Sequence, residues 1–270
     1  MKVRIIVATI LLPLLPLIAL VLPKIVTAFV VAGFCTIAAY ELMVTTKLVT
    51  PPRVIIYGIV MAFCVPFWSY YGEQNEIAVG GALAFFTLIY SEILFSKGKI
   101  PFNSAAVCFV AGILIPYLFS ALVRIMILDA GRVFLLLPFT VSVLSDSGAY
   151  FVGVFFGRHK LAPVISPHKT VEGMWGGVAI GTIGVAVYGL VLQLFAGMQV
   201  NYLYALLYGF IGSLFGVFGD LSFSVIKRQV GIKDYGSIFP GHGGILDRFD
   251  SLITVAPLME LLLLLIPFAK

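Results

Sequence analysis

Charge is what this chain has least of. Only 11% of its 270 residues are Asp, Glu, Lys or Arg, where a soluble domain carries about 25%. So few charges cannot cover a water-facing surface. With 61% hydrophobic residues and a mean hydropathy of +1.12, the chain reads as an integral membrane protein. It has no long basic run and a net charge of only +5, so no nucleic-acid partner is expected. Cysteine is scarce too. Cys35, Cys64 and Cys108 stand alone in apolar runs, which excludes a zinc spacing and a disulfide framework and leaves them as small buried hydrophobes. No internal repeat or low-complexity linker divides the chain. The apolar run after Met1-Lys2-Val3-Arg4 resembles a secretory signal. It is long for one, and Pro23-Lys24 follows without a small-residue cleavage pattern, so it is expected to remain as a first span.

Long apolar runs are abundant. A spanning helix needs about 20 mostly apolar residues. Nine segments qualify, at 4–22, 25–43, 54–71, 77–95, 105–128, 133–156, 173–196, 202–226 and 251–269. The expected fold is therefore all-α, a polytopic membrane protein of about nine transmembrane helices. With nine spans, Lys24, Arg124, Arg132 and Lys270 are the only members of the 17 basic residues that fall on the side opposite the N-terminus. The positive-inside rule then makes the N-terminus cytoplasmic.

The two halves differ. Residues 1–130 have short, plain loops and suggest packing, lipid contact or an oligomer surface. Residues 131–270 collect intramembrane acids and glycines, with cytoplasmic loops expected at 157–172 and 227–250, and are the expected catalytic region. Asp146 sits about three helical turns before Gly157 in the sixth span, and an acid at that depth is a functional candidate. Ser166-Pro167-His168-Lys169-Thr170 is expected to open the seventh helix, where free N–H groups and the dipole favour phosphate. In the eighth span Asp220, Ser224 and Lys227 fall at i, i+4 and i+7, along one stripe. Past it, Pro240-Gly241-His242-Gly243-Gly244 can turn backbone N–H groups toward an anion. Asp247, Arg248 and Asp250 then combine carboxylates and a cation as a divalent metal with a polyphosphate requires. Glycines four apart at 153 and 157, at 173, 177 and 181, and at 212 and 216 would let the sixth, seventh and eighth spans approach closely.

Residues 224–250 read S-x-x-K-R-x4-K-D-x-G-x2-F-P-G-H-G-G-I-x-D-R-F-D. This resembles the signature of the phosphatidate cytidylyltransferases of the bacterial type at every fixed position. The D-x-x-A-Y-x2-G-x3-G-R block from Asp146 and the S-P-x-K-T-x-E-G turn from Ser166 are similar to that family too. The resemblance implies a cell-membrane enzyme that joins CTP and phosphatidic acid into CDP-diacylglycerol and pyrophosphate with Mg2+, working at the cytoplasmic face. It implies Asp220 and Asp247 as metal holders, with Asp146 or Asp250 as a further ligand and a second ion allowed. Lys227, Arg228, Lys233 and Arg248 would neutralise phosphates, and Lys227 and Arg248 join the two acids as the expected catalytic set. Ser166, Lys169, Ser224, His242, Gly243 and Gly244 would bind substrate. A homodimer is expected, since most oligomers are two-fold.

Two rival enzyme types would show a D-x2-D-G-x2-A-R run or a D-D-x2-D run, and neither is present. The competing reading from another class is a cation- or proton-coupled transporter using Asp146, Asp220 and Glu260. A Gly-rich loop charged with both signs does not suit that reading.

Overall fold

The structure is a computed structural model that describes residues 17–72, 75–238 and 243–269. Among the described residues, seven helices are long and apolar enough to cross a membrane: α1 (Lys24–Thr45), α2 (Pro52–Tyr71), α3 (Glu76–Phe95), α4 (Phe102–Ile127), α5 (Gly131–Phe156), α6 (Val171–Ala196) and α7 (Tyr202–Gln229). An eighth helix, α8 (Leu246–Leu265), has the length of a span but carries Asp247, Arg248, Asp250 and Glu260. Most of the expected first span lies outside the described residues, and its last part forms a π-helical turn, Leu17–Val21. The seven apolar segments from 25–43 to 202–226 thus all became helices, because uninterrupted apolar runs can satisfy their backbone in lipid only by internal bonding.

Three details depart from the sequence expectation. The helix α8 starts at Leu246, so Asp247, Arg248 and Asp250 ride on its first turns and not on a loop. Ser166–Thr170 does not open a helix. It is a strand, β2, paired antiparallel with β1 (Lys160–Ala162), and α6 begins only at Val171. Thr170 caps α6 by accepting from the Gly173 N–H at 3.1 Å, which uses one of the donors expected to meet phosphate. Finally, α4 is not one regular helix. Its backbone runs Phe102–Phe109, widens into a π-helical turn at Val110–Leu114, and resumes at Ile115–Phe119 and Ala121–Ile127. Pro116 has no N–H to give the preceding turn, and the helix widens just upstream of it.

The chain forms two compact units. One comprises the described residues up to Arg132 together with Val230–Phe249, and the other comprises Val133–Gln229 and Asp250–Lys270. In the first unit the Arg132 guanidinium donates to the carbonyls of Leu20 and Leu22 at 2.8 and 3.0 Å. Phe34 of α1 stacks on Phe249 with ring centroids 5.0 Å apart. Cys35 and Cys108 are buried there and free, as their apolar settings predict.

In the second unit, glycine brings helices together. A Cβ on Gly173 would stand 2.7 Å from the Ala149 carbonyl, and one on Gly177 would stand 2.6 Å from the Ser145 carbonyl. The backbones of α5 and α6 touch where a side chain would hold them apart. A Cβ on Gly219 of α7 would meet the Asp250 carbonyl of α8 at 2.6 Å. The far end is closed by Tyr208, which is fully buried, donates to the Ile266 carbonyl at 3.1 Å and packs on Phe268. Gly177→Leu should therefore lower stability by about 1–3 kcal/mol, the usual cost of overpacking. Thermal unfolding in detergent checks it, and an unchanged melting temperature would mean that α5 and α6 do not approach in this way.

Candidate active site

The second unit gathers three carboxylates from three helices. Asp220 of α7 is held from two sides. The Lys169 ammonium, delivered by β2, pairs with its Oδ2, and the Ser224 hydroxyl one turn on donates to Oδ1 at 3.3 Å. Lys169 and Asp220 are each about one quarter exposed, at 27% and 26%, so the pair stands at the edge of the packed interior and within reach of solvent. Asp250 of α8 is buried, and the Ser251 N–H donates to its Oδ1 at 2.8 Å. The Ser251 hydroxyl donates to Oδ2 of Asp146 on α5 at 3.3 Å.

These groups act on one another electrically. Asp250 lies ahead of the last apolar segment. Burial first, and then the negative charge of Asp220, push its carboxyl above the ordinary range, with a smaller push from Asp146; the Ser251 N–H and the Lys227 ammonium pull the other way. Three acids thus face two lysines, and Lys227 is itself buried. The stripe of Asp220, Ser224 and Lys227 on α7 exists as the spacing predicted.

The hairpin that carries Lys169 is tied down at both ends. Glu172 accepts from the backbone N–H groups of Arg158 and His159 at 3.0 and 3.1 Å, and its other oxygen meets His159 Nδ1 at 2.5 Å. Arg228, past the end of the stripe, donates from Nε to the Ile165 carbonyl at 3.0 Å. Ser166 is half-buried on β2, two residues from the point where the hairpin turns back. Arg228 was expected to neutralise phosphate; its Nε is committed to the hairpin backbone.

The first unit holds the rest of the signature that is described. Asp247 is buried, and its Oδ2 accepts from the N–H groups of Tyr235 and Gly244 at 2.7 and 2.9 Å. Gly243 adopts φ of 86°, a conformation open to glycine, and its place against the Asp247 side chain leaves no room for a Cβ. Lys233 and Arg248 are exposed. His242 lies outside the described residues.

One residue of this unit was not singled out from the sequence. Glu41, in α1, is buried and accepts from the N–H groups of Ile245 and Leu246 at the start of α8, both at 2.9 Å. Its sequence signal was available, as a lone acid at the end of an apolar span.

Magnesium requires oxygen donors and takes one or two carboxylates with phosphate and water. Asp146, Asp220 and Asp250 supply that chemistry, and their mutual repulsion is what a divalent cation relieves. Among the described residues no group of three or more acidic, histidine or cysteine side chains is drawn in to ligand distance. The donor types fit the ion, and a lysine already occupies a cation's place on Asp220.

Fold and charges together define a polytopic membrane protein with an acid-and-lysine centre set among its helices. The chain belongs to the cytidylyltransferase family, whose model matches residues 2–266. It is similar to the phosphatidate cytidylyltransferase of Bacillus subtilis (strain 168), with 37% identity over 234 residues that cover 85% of this chain and 86% of the relative. It is also similar to proteins of that name from Staphylococcus epidermidis, at 40% identity over 190 residues and 70% of each chain, and from Staphylococcus aureus, at 42% over 185 residues, or 68% of this chain and 67% of the relative. The chain is a membrane-bound nucleotidyltransferase.

Proposed function

We propose that the chain transfers the cytidylyl group of CTP to phosphatidic acid at the cytoplasmic face of the cell membrane, giving CDP-diacylglycerol and pyrophosphate. The observation that carries this reading is the convergence of Asp146, Asp220 and Asp250 with Lys169 and Lys227 within one unit of a membrane protein of this family. The bias of basic residues toward the side of the N-terminus supports the cytoplasmic placement.

In the reaction, a phosphate oxygen of phosphatidic acid attacks the α-phosphorus of CTP. A new P–O bond forms as the bond from the α-phosphorus to the oxygen of the β-phosphate breaks, and pyrophosphate leaves with that electron pair. The attacking group needs no protein base, since the second pKa of a phosphate monoester is about 6. The task left to the protein is to bring two polyanions together in line. Lys169 and Lys227 supply positive charge where the three acids meet. Ser224 orients Asp220, and Glu172 holds the hairpin from which Lys169 reaches. Asp220, Asp250 and Asp146 would hold Mg2+. When bound, the ion neutralises phosphate oxygens and developing charge. Lys233, Arg248, Ser166, His242 and the Gly243–Gly244 turn serve as phosphate contacts in this reading, and every group it uses comes from one chain.

The test uses the full chain in vesicles containing phosphatidic acid. CTP with Mg2+ should yield pyrophosphate and a CDP-lipid. Chelating the metal with EDTA should reduce the rate at least about a hundredfold, as expected for loss of a catalytic ion, and restoring Mg2+ should recover it. Cation flux across the vesicles without pyrophosphate release would replace the reading with a transporter.

A further inference from the structure

The first unit contains a carboxylate that the reaction above does not use. Glu41 is only 1% exposed, and it stands in a π-helical turn, Glu41–Thr45, that closes α1. Such turns alter the direction of the side chains they carry and recur at functional positions. Each of its oxygens is engaged by a different backbone donor: Oε1 by the Ile245 N–H and Oε2 by the Leu246 N–H, both at 2.9 Å. These N–H groups open α8 and have no partner within that helix, so a carboxylate from α1 fills the place of a local cap.

Two glycines of the signature leave room for it. A Cβ on Gly236 or on Gly244 would collide with Glu41 Oε1, so both come close enough to touch the same oxygen only because they are glycine. Asp247 Oδ2 joins neighbouring backbone, accepting from the Tyr235 and Gly244 N–H groups. Phe34, seven residues before Glu41 on α1, stacks on Phe249 of α8. Two grips from α1 thus fix the segment on which Gly243, Gly244, Asp247 and Arg248 lie.

We infer that Glu41 is a positioning residue for the reaction: its carboxylate, through the Ile245 and Leu246 N–H groups, sets Gly244 and the first turn of α8 in the arrangement that receives the nucleotide phosphates. The inference rests on the cytidylyl-transfer reading for the identity of the ligand, but the contact itself can be tested without activity. Glutamine keeps the size of the side chain yet turns an N–H2 group toward one of the two backbone donors, so Glu41→Gln breaks half of the clamp.

The experiment uses the full chain in phosphatidic-acid vesicles. In Glu41→Gln, amide exchange at Tyr235, Gly244, Ile245 and Leu246 should quicken at least about tenfold, with exchange in α6 unchanged, as for loss of a charged cap. The KM for CTP should rise about tenfold or more, and kcat should fall less, since binding geometry and not the reacting atoms is disturbed. Gly236→Ala, which pushes on the same oxygen without changing charge, should reproduce the KM effect and serves where Glu41→Gln does not fold. Unchanged exchange at the four amides overturns the inference. So does a lower melting temperature and lower active fraction with the KM for CTP unaltered, which is the result of a merely structural role. Absence of CDP-lipid formation by the unmodified chain would sink the functional reading alone, and the exchange result would still decide the clamp.

Discussion

Asp220→Asn is expected to reduce turnover at least about a hundredfold, the scale at which removing one preorganised charged group from a polar reaction is felt. Asn has nearly the same shape and still offers Ser224 a carbonyl oxygen, so the packing of α7 should survive. What disappears is the negative charge that answers Lys169 and that Asp250 feels across the unit. The measurement is the pyrophosphate release rate at saturating CTP and Mg2+, with the melting temperature in detergent as the control for folding. Near-normal turnover by a well-folded Asp220→Asn protein would remove Asp220 from the metal set. A lower melting temperature together with lost turnover would assign the residue to folding.

Lys169→Met comes second. The substitution keeps an unbranched side chain one atom shorter and removes its charge. It removes the cation paired with Asp220, and the approach of a polyanion to the acids is then resisted. We expect kcat/KM for CTP to drop about a hundredfold. The double variant Asp220→Asn/Lys169→Met separates two roles of the lysine. If Lys169 only neutralises Asp220, removing both charges should restore part of what Lys169→Met loses. If Lys169 contacts a substrate phosphate, as proposed, the double variant should be slower than either single one. Such neighbours are not expected to be additive, so the cycle has to be measured as a whole. A Lys169→Met enzyme within threefold of the unmodified one would end the phosphate assignment.

The membrane helices were legible because their cause is local and repeated. The expected segments 54–71, 173–196 and 202–226 became Pro52–Tyr71, Val171–Ala196 and Tyr202–Gln229, since a run of apolar residues in lipid has one economical backbone solution. The stripe of Asp220, Ser224 and Lys227 was legible for the same reason, as helical periodicity places it. The hairpin was not. Ser166–Thr170 is polar, contains Pro167, and becomes a strand only through pairing with Lys160–Ala162, a partner that no periodicity announces. The start of α8 was read too late because its first turn carries Asp247, Arg248 and Asp250, which look like loop when only apolarity is counted. Glu41 escaped altogether. Its two partners are 204 and 205 residues away, and a sequence read span by span offers no link between them.

That separation has a bearing on biogenesis. At about 5–20 residues per second, a ribosome needs roughly 10–40 s to travel from Glu41 to Ile245. During that interval α1 is already made, and its terminal carboxylate has no native donor to meet it. The last piece of the first unit, Val230–Phe249, arrives after most of the second unit has been synthesised. The helices α1 to α4 therefore enter the bilayer before the second unit and are finished only after most of it is made. A nascent chain halted after Gln229 would hold α1 to α4 complete in sequence and still be an unfinished client for the insertion and quality-control machinery.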